Sequence, residues 1–163
     1  MVVRLGVLLL LLTACGPASE APPADTSTGG ADRVAATVRE ARVAESVNGR
    51  SMSVYGIVEG GSADDALVGL RPAFEAVGSL HAMEEDGGMM TMSEIDRIDV
   101  PAGGSVELRP GMLHGMLEEL GDVPAVGDTL RLTFVFASGI EVEVRAPVLS
   151  MAEIAAGGAA HAH

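Results

Sequence analysis

Between residues 34 and 149, short aliphatic runs are separated by turn-forming residues, and this division restricts the folds that the chain can adopt. Ten such runs are separated by Gly, Pro, Asp or Ser at intervals of about ten residues. No part of the segment keeps a helical period of apolar residues over ten or more positions. The pattern therefore predicts an all-β domain, either a sandwich or a barrel. The expected strands are Ala36–Glu45, Ser51–Glu59, Ala66–Leu70, Ser79–Glu85, Gly88–Met92, Ile95–Val100, Ser105–Leu108, Leu113–Leu117, Thr129–Ala137 and Ile140–Ala146.

Composition and charge argue against several classes of function. The chain carries 10 basic and 23 acidic residues, a formal net charge of −13, and every basic residue is Arg. Because these arginines are scattered, no basic surface can form to neutralise phosphates, and nucleic-acid binding is not expected. Aromatic residues make up only 2% of the chain. The core must therefore be aliphatic, and neither a base-stacking platform nor a sugar-binding cleft is expected.

The N-terminal residues have the features of an export and lipidation signal. A single Arg is followed by an apolar run ending at Leu12, which is too short to cross a bilayer as a permanent helix. The only cysteine, Cys15, follows two small residues at the end of this run. This order is typical of a bacterial lipoprotein, and it predicts removal of residues 1–14 and lipidation of Cys15. We expect an extracytoplasmic protein anchored to a membrane through this cysteine, on the periplasmic side in a Gram-negative cell. An ordinary signal peptide with an incidental cysteine is the alternative.

The segments on either side of the aliphatic runs lack strand character. Residues 15–33 are rich in Pro, Ala, Ser, Thr and Gly, which predicts a flexible tether behind the lipidated cysteine. Residues 150–163 end in small residues and two histidines, His161 and His163, which predicts a flexible tail. The folded domain is therefore expected to cover residues 34–149.

Methionine and histidine are concentrated between residues 81 and 116. A methionine cluster alone is more often the filling of an irregular core than a binding site. Here, however, each histidine of the segment has a methionine partner at a spacing that suits a β-sheet. The segment holds six of the nine methionines and two of the four histidines: Met83, Met89, Met90, Met92, Met112, Met116, His81 and His114.

The first part of this segment predicts a β-hairpin. An Asp-Gly loop at residues 86–87 would place Met83 opposite Met90 and His81 opposite Met92. A Gly-Gly loop one residue later would instead place Met83 opposite Met92, and we expect the first register. Directly opposed residues have Cβ atoms about 4.5–5.5 Å apart. His81, Met83, Met90 and Met92 would then share one face, because the side-chain period of a strand is two.

The sequence His114-Gly115-Met116 adds a second imidazole and a second thioether. Residues two apart in a strand point to the same face, about 6.6–6.8 Å apart. If this strand lies beside the hairpin, both side chains can reach one ion together with His81 and Met92. Two imidazoles and two thioethers favour Cu(I), since soft thioether sulfur selects Cu(I) over hard ions.

The spacing of these four residues resembles the signature of the PCu(A)C family of copper chaperones, H-x10-M-x21-H-x-M. His81 is followed by ten residues and Met92, and then by twenty-one residues, His114, Gly115 and Met116. The similarity extends over most of the domain. It implies a cupredoxin-like Greek-key β-sandwich that binds Cu(I) through His81, Met92, His114 and Met116. It also implies delivery of the ion to the CuA centre of a haem–copper (cytochrome c) oxidase, with the CuA-containing subunit or its assembly factors as partners.

Other soft ligands lie near the signature or at the chain end. Met83 and Met90 are candidate auxiliary ligands, because they share the expected face of the hairpin. His161 and His163 could bind Cu(II) through their imidazoles, although two histidines fit a tail without function equally well.

Competing functions fit the same residues less well, and two alternatives stay open. A blue-copper electron-transfer site needs a cysteine thiolate, and the sole cysteine is assigned to lipidation. Catalysis is not expected, because no GxSxG, HExxH or comparable motif is present. The open alternatives are a lipoprotein that sequesters copper for copper tolerance without delivering it, and a structural lipoprotein whose methionines form its core.

Overall fold

A computed structural model describes residues 34–159, and the described chain folds into ten strands and one short helix. The all-β prediction is confirmed, and each expected strand is present with ends within three residues of those predicted. The elements are β1 (Thr37–Ala44), β2 (Met52–Glu59), β3 (Asp65–Pro72), β4 (Val77–Asp86), β5 (Met89–Glu94), β6 (Ile98–Val100), β7 (Ser105–Leu108), β8 (His114–Glu118), β9 (Thr129–Phe136), β10 (Glu141–Leu149) and α1 (Met151–Ala159).

The strands form two sheets that share strand β10. The first sheet has the order β5-β4-β8-β2-β1-β10, and β7 also pairs with β2. The second sheet has the order β10-β9-β3-β6. Strand β10 pairs with β9 in antiparallel fashion from Glu141 to Pro147, and its last two residues then pair in parallel with β1. A single strand therefore joins the two sheets of the sandwich.

The core between the sheets is mostly aliphatic, but it also contains Phe134 and Phe136, so the prediction of a purely aliphatic core is wrong. Met52, from β2, is the methionine that belongs to it, and the six methionines of residues 81–116 do not. The alternative in which those methionines form the core is therefore wrong. The largest fully buried side chains of the core are Phe134, Phe136, Met52, Leu67, Leu108, Leu117 and Leu132.

Two glycines allow the sheets to approach each other closely. Gly78 in β4 and Gly115 in β8 both face Leu70, which lies in β3 of the second sheet. A Cβ atom at Gly78 would lie 2.0 Å from the backbone oxygen of Leu70. Only a residue without a side chain fits at this distance, so both positions bring β4 and β8 against the opposite sheet.

Residues 151–159 form helix α1, so the prediction of a flexible tail is wrong for this part of the chain. Ser150 and Glu153 cap the helix reciprocally: the Ser150 amide donates to the Glu153 carboxylate at 2.9 Å, and the Glu153 amide donates to the Ser150 hydroxyl at 3.3 Å. The side chain of Ile154 is 1% exposed. It packs against Ala44 of β1, Tyr55 of β2 and Leu149 of β10.

Other expectations at the chain ends lie outside the described residues. They are the signal peptide, the lipidation of Cys15, the tether, and the histidines at 161 and 163. Within residues 34–159, no helix has the length and hydropathy needed to span a membrane.

Candidate metal centre

Strands β4 and β5 form the predicted hairpin, but in the register of the later loop. Met83 pairs with Met92, and His81 pairs with Glu94; the expected pairing of His81 with Met92 is therefore wrong. The loop consists of the two glycines at 87–88, whose φ angles are 58° and 84°. A two-residue turn with positive φ at both positions favours Gly-Gly over Asp-Gly, because glycine has no Cβ to clash.

The change of register leaves the candidate ligands on the same face. Each residue of β4 pairs with a β5 residue two positions later than expected, and a shift of two preserves the side-chain direction. Met83, Met90 and Met92 therefore still share a face with His81. In this register Met90 pairs with Glu85.

Strand β8 lies beside β4 and brings the two histidines together. His81 is directly opposite His114, and Ser79 is opposite Met116. The two imidazole rings are stacked, with centroids 5.7 Å apart and planes inclined by 24°. His81, His114 and Met116 are 7%, 5% and 8% exposed, respectively. The structure thus unites three of the four predicted ligands in one buried group.

This group lies on the outer face of the first sheet, away from the core. Leu80 and Leu117, which neighbour the histidine and methionine positions in sequence, belong to the core cluster. The outer face is nevertheless covered at the site. The Tyr55 ring lies 6.4 Å from the His114 ring and is inclined to it by 47°, and Tyr55 in turn packs with Ile154 of helix α1.

The hydrogen bonding of His114 fixes the form of its imidazole. Nδ1 of His114 lies 3.0 Å from the backbone oxygen of Met112. A carbonyl oxygen can only accept, so Nδ1 carries the proton and donates it. In the neutral ring, the lone pair is then on Nε2, which is the atom available to a metal ion.

His81 has a buried ring nitrogen without a partner. Its Nε2 lies 2.9 Å from the hydroxyl oxygen of Ser79. Its Nδ1 is buried and makes no hydrogen bond. Because buried polar atoms are nearly always satisfied, this nitrogen is a candidate ligand for a metal ion.

Met92, the fourth predicted ligand, is placed differently from the other three. It lies on β5, diagonal to His81, and its side chain is 46% exposed. Diagonal neighbours in a sheet are about 7–8 Å apart, which is within the reach of a long side chain. Met92 therefore shares the face of the histidine pair but is not part of the buried group.

Three residues near the histidines were not identified from the sequence: Ser79, Tyr55 and Met112 through its backbone oxygen. Ser79 could have been found, because it lies two residues before His81 and so shares its face. Tyr55 and the Met112 carbonyl could not, since their proximity depends on the pairing of β2 and β8 and on a loop conformation.

The surroundings of the site are acidic. Glu94 is opposite His81, and Glu85 lies further along the same face of the hairpin. Both side chains are exposed, and their charge raises the local concentration of cations. In the described part of the chain, no three His, Cys, Asp or Glu side chains are arranged to hold a metal ion. The histidine pair is accompanied instead by thioethers.

The chain is similar to several solved structures, some of which contain bound copper. Cu(I)-bound DR1885 from Deinococcus radiodurans is 26% identical, with a TM-score of 0.60 over 76% of this chain and 85% of that chain. The copper-bound PCuAC domain of PmoF2 is 21% identical, with a TM-score of 0.58 over 71% of this chain and 92% of that chain. The apo PCuAC domain of PmoF1 is 20% identical, with a TM-score of 0.59 and coverages of 73% and 97%. No curated protein matches the chain.

The family follows from a match to a sequence model. The LpqE-like lipoprotein family model matches residues 36–148, nearly the whole described sandwich. The PmoF relatives share the fold, and DR1885 shares the fold at higher identity. The predicted cupredoxin-like sandwich and the predicted relationship to PCu(A)C domains are both confirmed. The chain belongs to the LpqE-like family, and its domain is of the PCuAC type.

Proposed function

We propose that this protein is an extracytoplasmic metallochaperone that binds Cu(I) through His81, Met92, His114 and Met116. It delivers the ion to the CuA centre of a haem–copper oxidase, by contact with the CuA-containing subunit or its assembly factors. Copper is the cargo of the protein, and the role is one of binding and transfer rather than catalysis.

The observation that carries this proposal is the unpartnered Nδ1 of His81. It belongs to a ring that is stacked beside His114, whose Nε2 holds a free lone pair in the neutral form. Two neighbouring imidazoles with available nitrogens, next to the thioether of Met116, form a soft donor set. Similarity to Cu(I)-bound DR1885 supports the same metal.

The donor types suit a carrier that works outside the cytoplasm. A cysteine site in that compartment is exposed to oxidation, whereas thioethers hold Cu(I) without a thiol. Only the two histidines need to be in their neutral form for binding, because methionine sulfur does not titrate. Thioether ligation is also weaker than thiolate ligation, so the ion can pass downhill to the thiolate-rich CuA centre.

The exposure of Met92 supports an order for the transfer. The other three ligands are less than 9% exposed, whereas Met92 is 46% exposed. We expect an acceptor thiolate to replace Met92 first, because only this Cu–S bond can be approached from solvent. His114, His81 and Met116 then release the ion to the acceptor by successive exchange.

Binding is tested by Cu(I) competition titration and X-ray absorption on the intact protein. We expect about two nitrogen and two sulfur neighbours at one equivalent of Cu(I). His114→Gln and Met116→Leu should each weaken binding at least tenfold, and Met92→Leu should remove one sulfur neighbour. Met151→Leu is the matched control, since Met151 is also exposed but lies in helix α1. Unchanged binding in His114→Gln would contradict the ligand assignment.

Delivery and sequestration are separated by transfer and by phenotype. If the protein delivers copper, an apo CuA domain removes Cu(I) from the loaded protein, and loss of the protein lowers oxidase activity at low copper. If it only sequesters copper, the apo CuA domain cannot remove the ion, and loss of the protein lowers copper tolerance with normal oxidase assembly. The second result would leave a copper-binding lipoprotein and overturn the chaperone assignment.

Two further parts of the proposal concern the chain ends. The family match is consistent with an anchor at Cys15, and Cys15→Ser should release the protein from the membrane fraction. A Cu(II) site at His161 and His163 would give an electron paramagnetic resonance signal that is lost when both are replaced by Ala. If the two proteins give the same signal, that site is excluded.

A further inference from the structure

Three methionines form a row immediately beside the histidine pair. Met92 on β5 is paired with Met83 on β4. On the other side of β4, the Met83 amide donates to the backbone oxygen of Met112 at 3.3 Å. Met83 is therefore the middle member of a row that runs from β5 to the loop before β8. The two histidines form the adjacent row, two residues away from Met83 and Met112, and His81 is directly opposite His114.

The backbone of this row is fixed by hydrogen bonds. The Met112 carbonyl also accepts from Nδ1 of His114 at 3.0 Å, so one oxygen links the methionine row to the histidine row. The Met112 amide donates to the backbone oxygen of Arg109 at 3.2 Å, and the Arg109 amide donates to the backbone oxygen of Leu113 at 2.8 Å. These two hydrogen bonds close the loop. The three side chains thus start from defined positions, while each thioether keeps its own rotational freedom.

Packing does not explain the three side chains. Met92 and Met112 are 46% and 48% exposed, Met83 is half-buried, and none belongs to the core. An exposed group of large apolar side chains commonly marks a binding site. All three are methionine rather than Leu, Ile or Val, which would expose a similar apolar area without a metal ligand. The shared property is the thioether sulfur.

We propose that Met83, Met92 and Met112 form a second Cu(I) site, made of three thioethers, through which the ion enters and leaves the histidine site. The existence of this site does not depend on the proposed function, but its role as an entrance rests on it. Soft neutral sulfur ligands bind Cu(I) selectively. The acidic face of the hairpin, with Glu85 and Glu94, attracts the cation to this side of the molecule.

Transfer between the two sites is ligand exchange without a redox change. Met92 belongs to both ligand sets, and Met83 lies two residues from His81 on the same face of β4. A Cu–S bond to Met83 or Met112 breaks as a Cu–N bond to an imidazole forms, and copper stays Cu(I) throughout. The three thioethers release no proton on binding, so a proton leaves only if an imidazole was protonated beforehand.

The site is tested by titrating the intact protein with Cu(I), and with Ag(I) as a redox-inert substitute, past one equivalent. We expect a second, weaker equivalent that shifts the methyl resonances of the three methionines in nuclear magnetic resonance spectra. In X-ray absorption, the average nitrogen count per metal should fall from about two to about one, while the sulfur count stays at about two. This follows because the second ion adds only sulfur ligands and takes Met92 from the first.

Variants distinguish this proposal from the proposed function. Met83→Leu/Met112→Leu should bind one equivalent and lose the second, with unchanged nitrogen neighbours. Met89→Leu is the matched control, since Met89 is 73% exposed but lies on the other face of β5, and it should keep both equivalents. His81→Gln/His114→Gln should keep the sulfur-only equivalent, if circular dichroism shows a folded sandwich. If this histidine variant does not fold, the methionine variant decides alone.

Two outcomes would overturn the second site. One is a second equivalent that persists in Met83→Leu/Met112→Leu; the other is a wild-type protein that binds one ion only. In the second case, the three methionines would be a docking surface for another protein rather than a metal site. A histidine variant that keeps all its copper would refute the proposed histidine site and leave the thioether site standing.

Discussion

The contact between the two sheets gives a quantitative prediction for Gly115, which separates His114 from Met116. A Cβ atom at Gly115 would lie 2.8 Å from Cδ2 of Leu70 and 3.1 Å from Cβ of Val54. Both neighbours are buried, so Gly115→Ala must push aside Leu70 of the opposite sheet and Val54 of the neighbouring strand β2. Overpacking of this kind destabilises by about 1–3 kcal/mol, and we expect the free energy of unfolding to fall by that amount.

Two other strand glycines provide the comparison. A Cβ at Gly78 would lie 2.0 Å from the backbone oxygen of Leu70, which cannot move unless the sheets separate. We therefore expect Gly78→Ala to cost more than about 3 kcal/mol. At Gly69 the nearest atom would be the Val135 Cβ at 3.7 Å, an ordinary contact. Gly69→Ala should be neutral or stabilising by up to about 1 kcal/mol, since alanine restricts the unfolded chain.

The measurement is urea unfolding followed by circular dichroism, with Cu(I) affinity determined for each folded variant. The urea concentration at the unfolding midpoint should be highest for Gly69→Ala, lower for Gly115→Ala and lowest for Gly78→Ala, with similar denaturant slopes. Gly115→Ala should also weaken Cu(I) binding, because a displaced β8 carries two of the proposed ligands. Equal unfolding midpoints for Gly115→Ala and Gly69→Ala would show that the two sheets do not approach each other closely at Gly115.

Ser79→Ala removes the hydrogen bond to Nε2 of His81 and should weaken Cu(I) binding about 10–100-fold, as measured by competition titration; Ser79→Thr, which keeps the hydroxyl, should restore it. Ile154→Ala should expose helix α1 to rapid hydrogen exchange while the sandwich keeps its protection, because Ile154 packs in a cluster separate from the core. The side-chain and backbone hydrogen bonds from Ser150 hold the pKa of Glu153 below its ordinary value of 4.5. The carboxylate therefore stabilises the helix start above pH 4.5, and this contribution is lost as the pH falls through the lowered pKa; the acid-dependent loss of helical signal should be absent in Glu153→Gln.

The strands were predictable because alternation of side chains is a local property. In β9, for example, Leu130, Leu132 and Phe134 alternate with exposed or half-buried residues, and the sequence shows the same period. The faces of the candidate ligands were predictable for the same reason. His114 and Met116 had to share a face, whichever strand became their neighbour.

Features that depend on turn conformation or on packing between distant segments were less predictable. Both Asp-Gly and Gly-Gly loops suit a hairpin. The choice between them shifts the β5 partner of His81, and of every other paired β4 residue, by two positions. The helix after β10 is short and rich in Ala and Gly, and its hydrophobic contact is Ile154 against Tyr55, about a hundred residues earlier. The capping pair Ser150 and Glu153 was the one local signal of this helix.

In β4 and in β8, inner and outer residues alternate, so the requirements of core packing and those of the outer-face site fall on different residues of each strand. Leu80, Gly115 and Leu117 face the inside of the sandwich, where packing constrains them, whereas His81 and Met116 lie on the outer face and are proposed to bind the ion. A lineage could thus exchange the ligands at every second position, and with them the metal preference, without having to invent a new scaffold. In related chains, we expect the inward-facing positions of these strands to be conserved and the outward-facing positions to vary, which gives a sequence variation with a period of two.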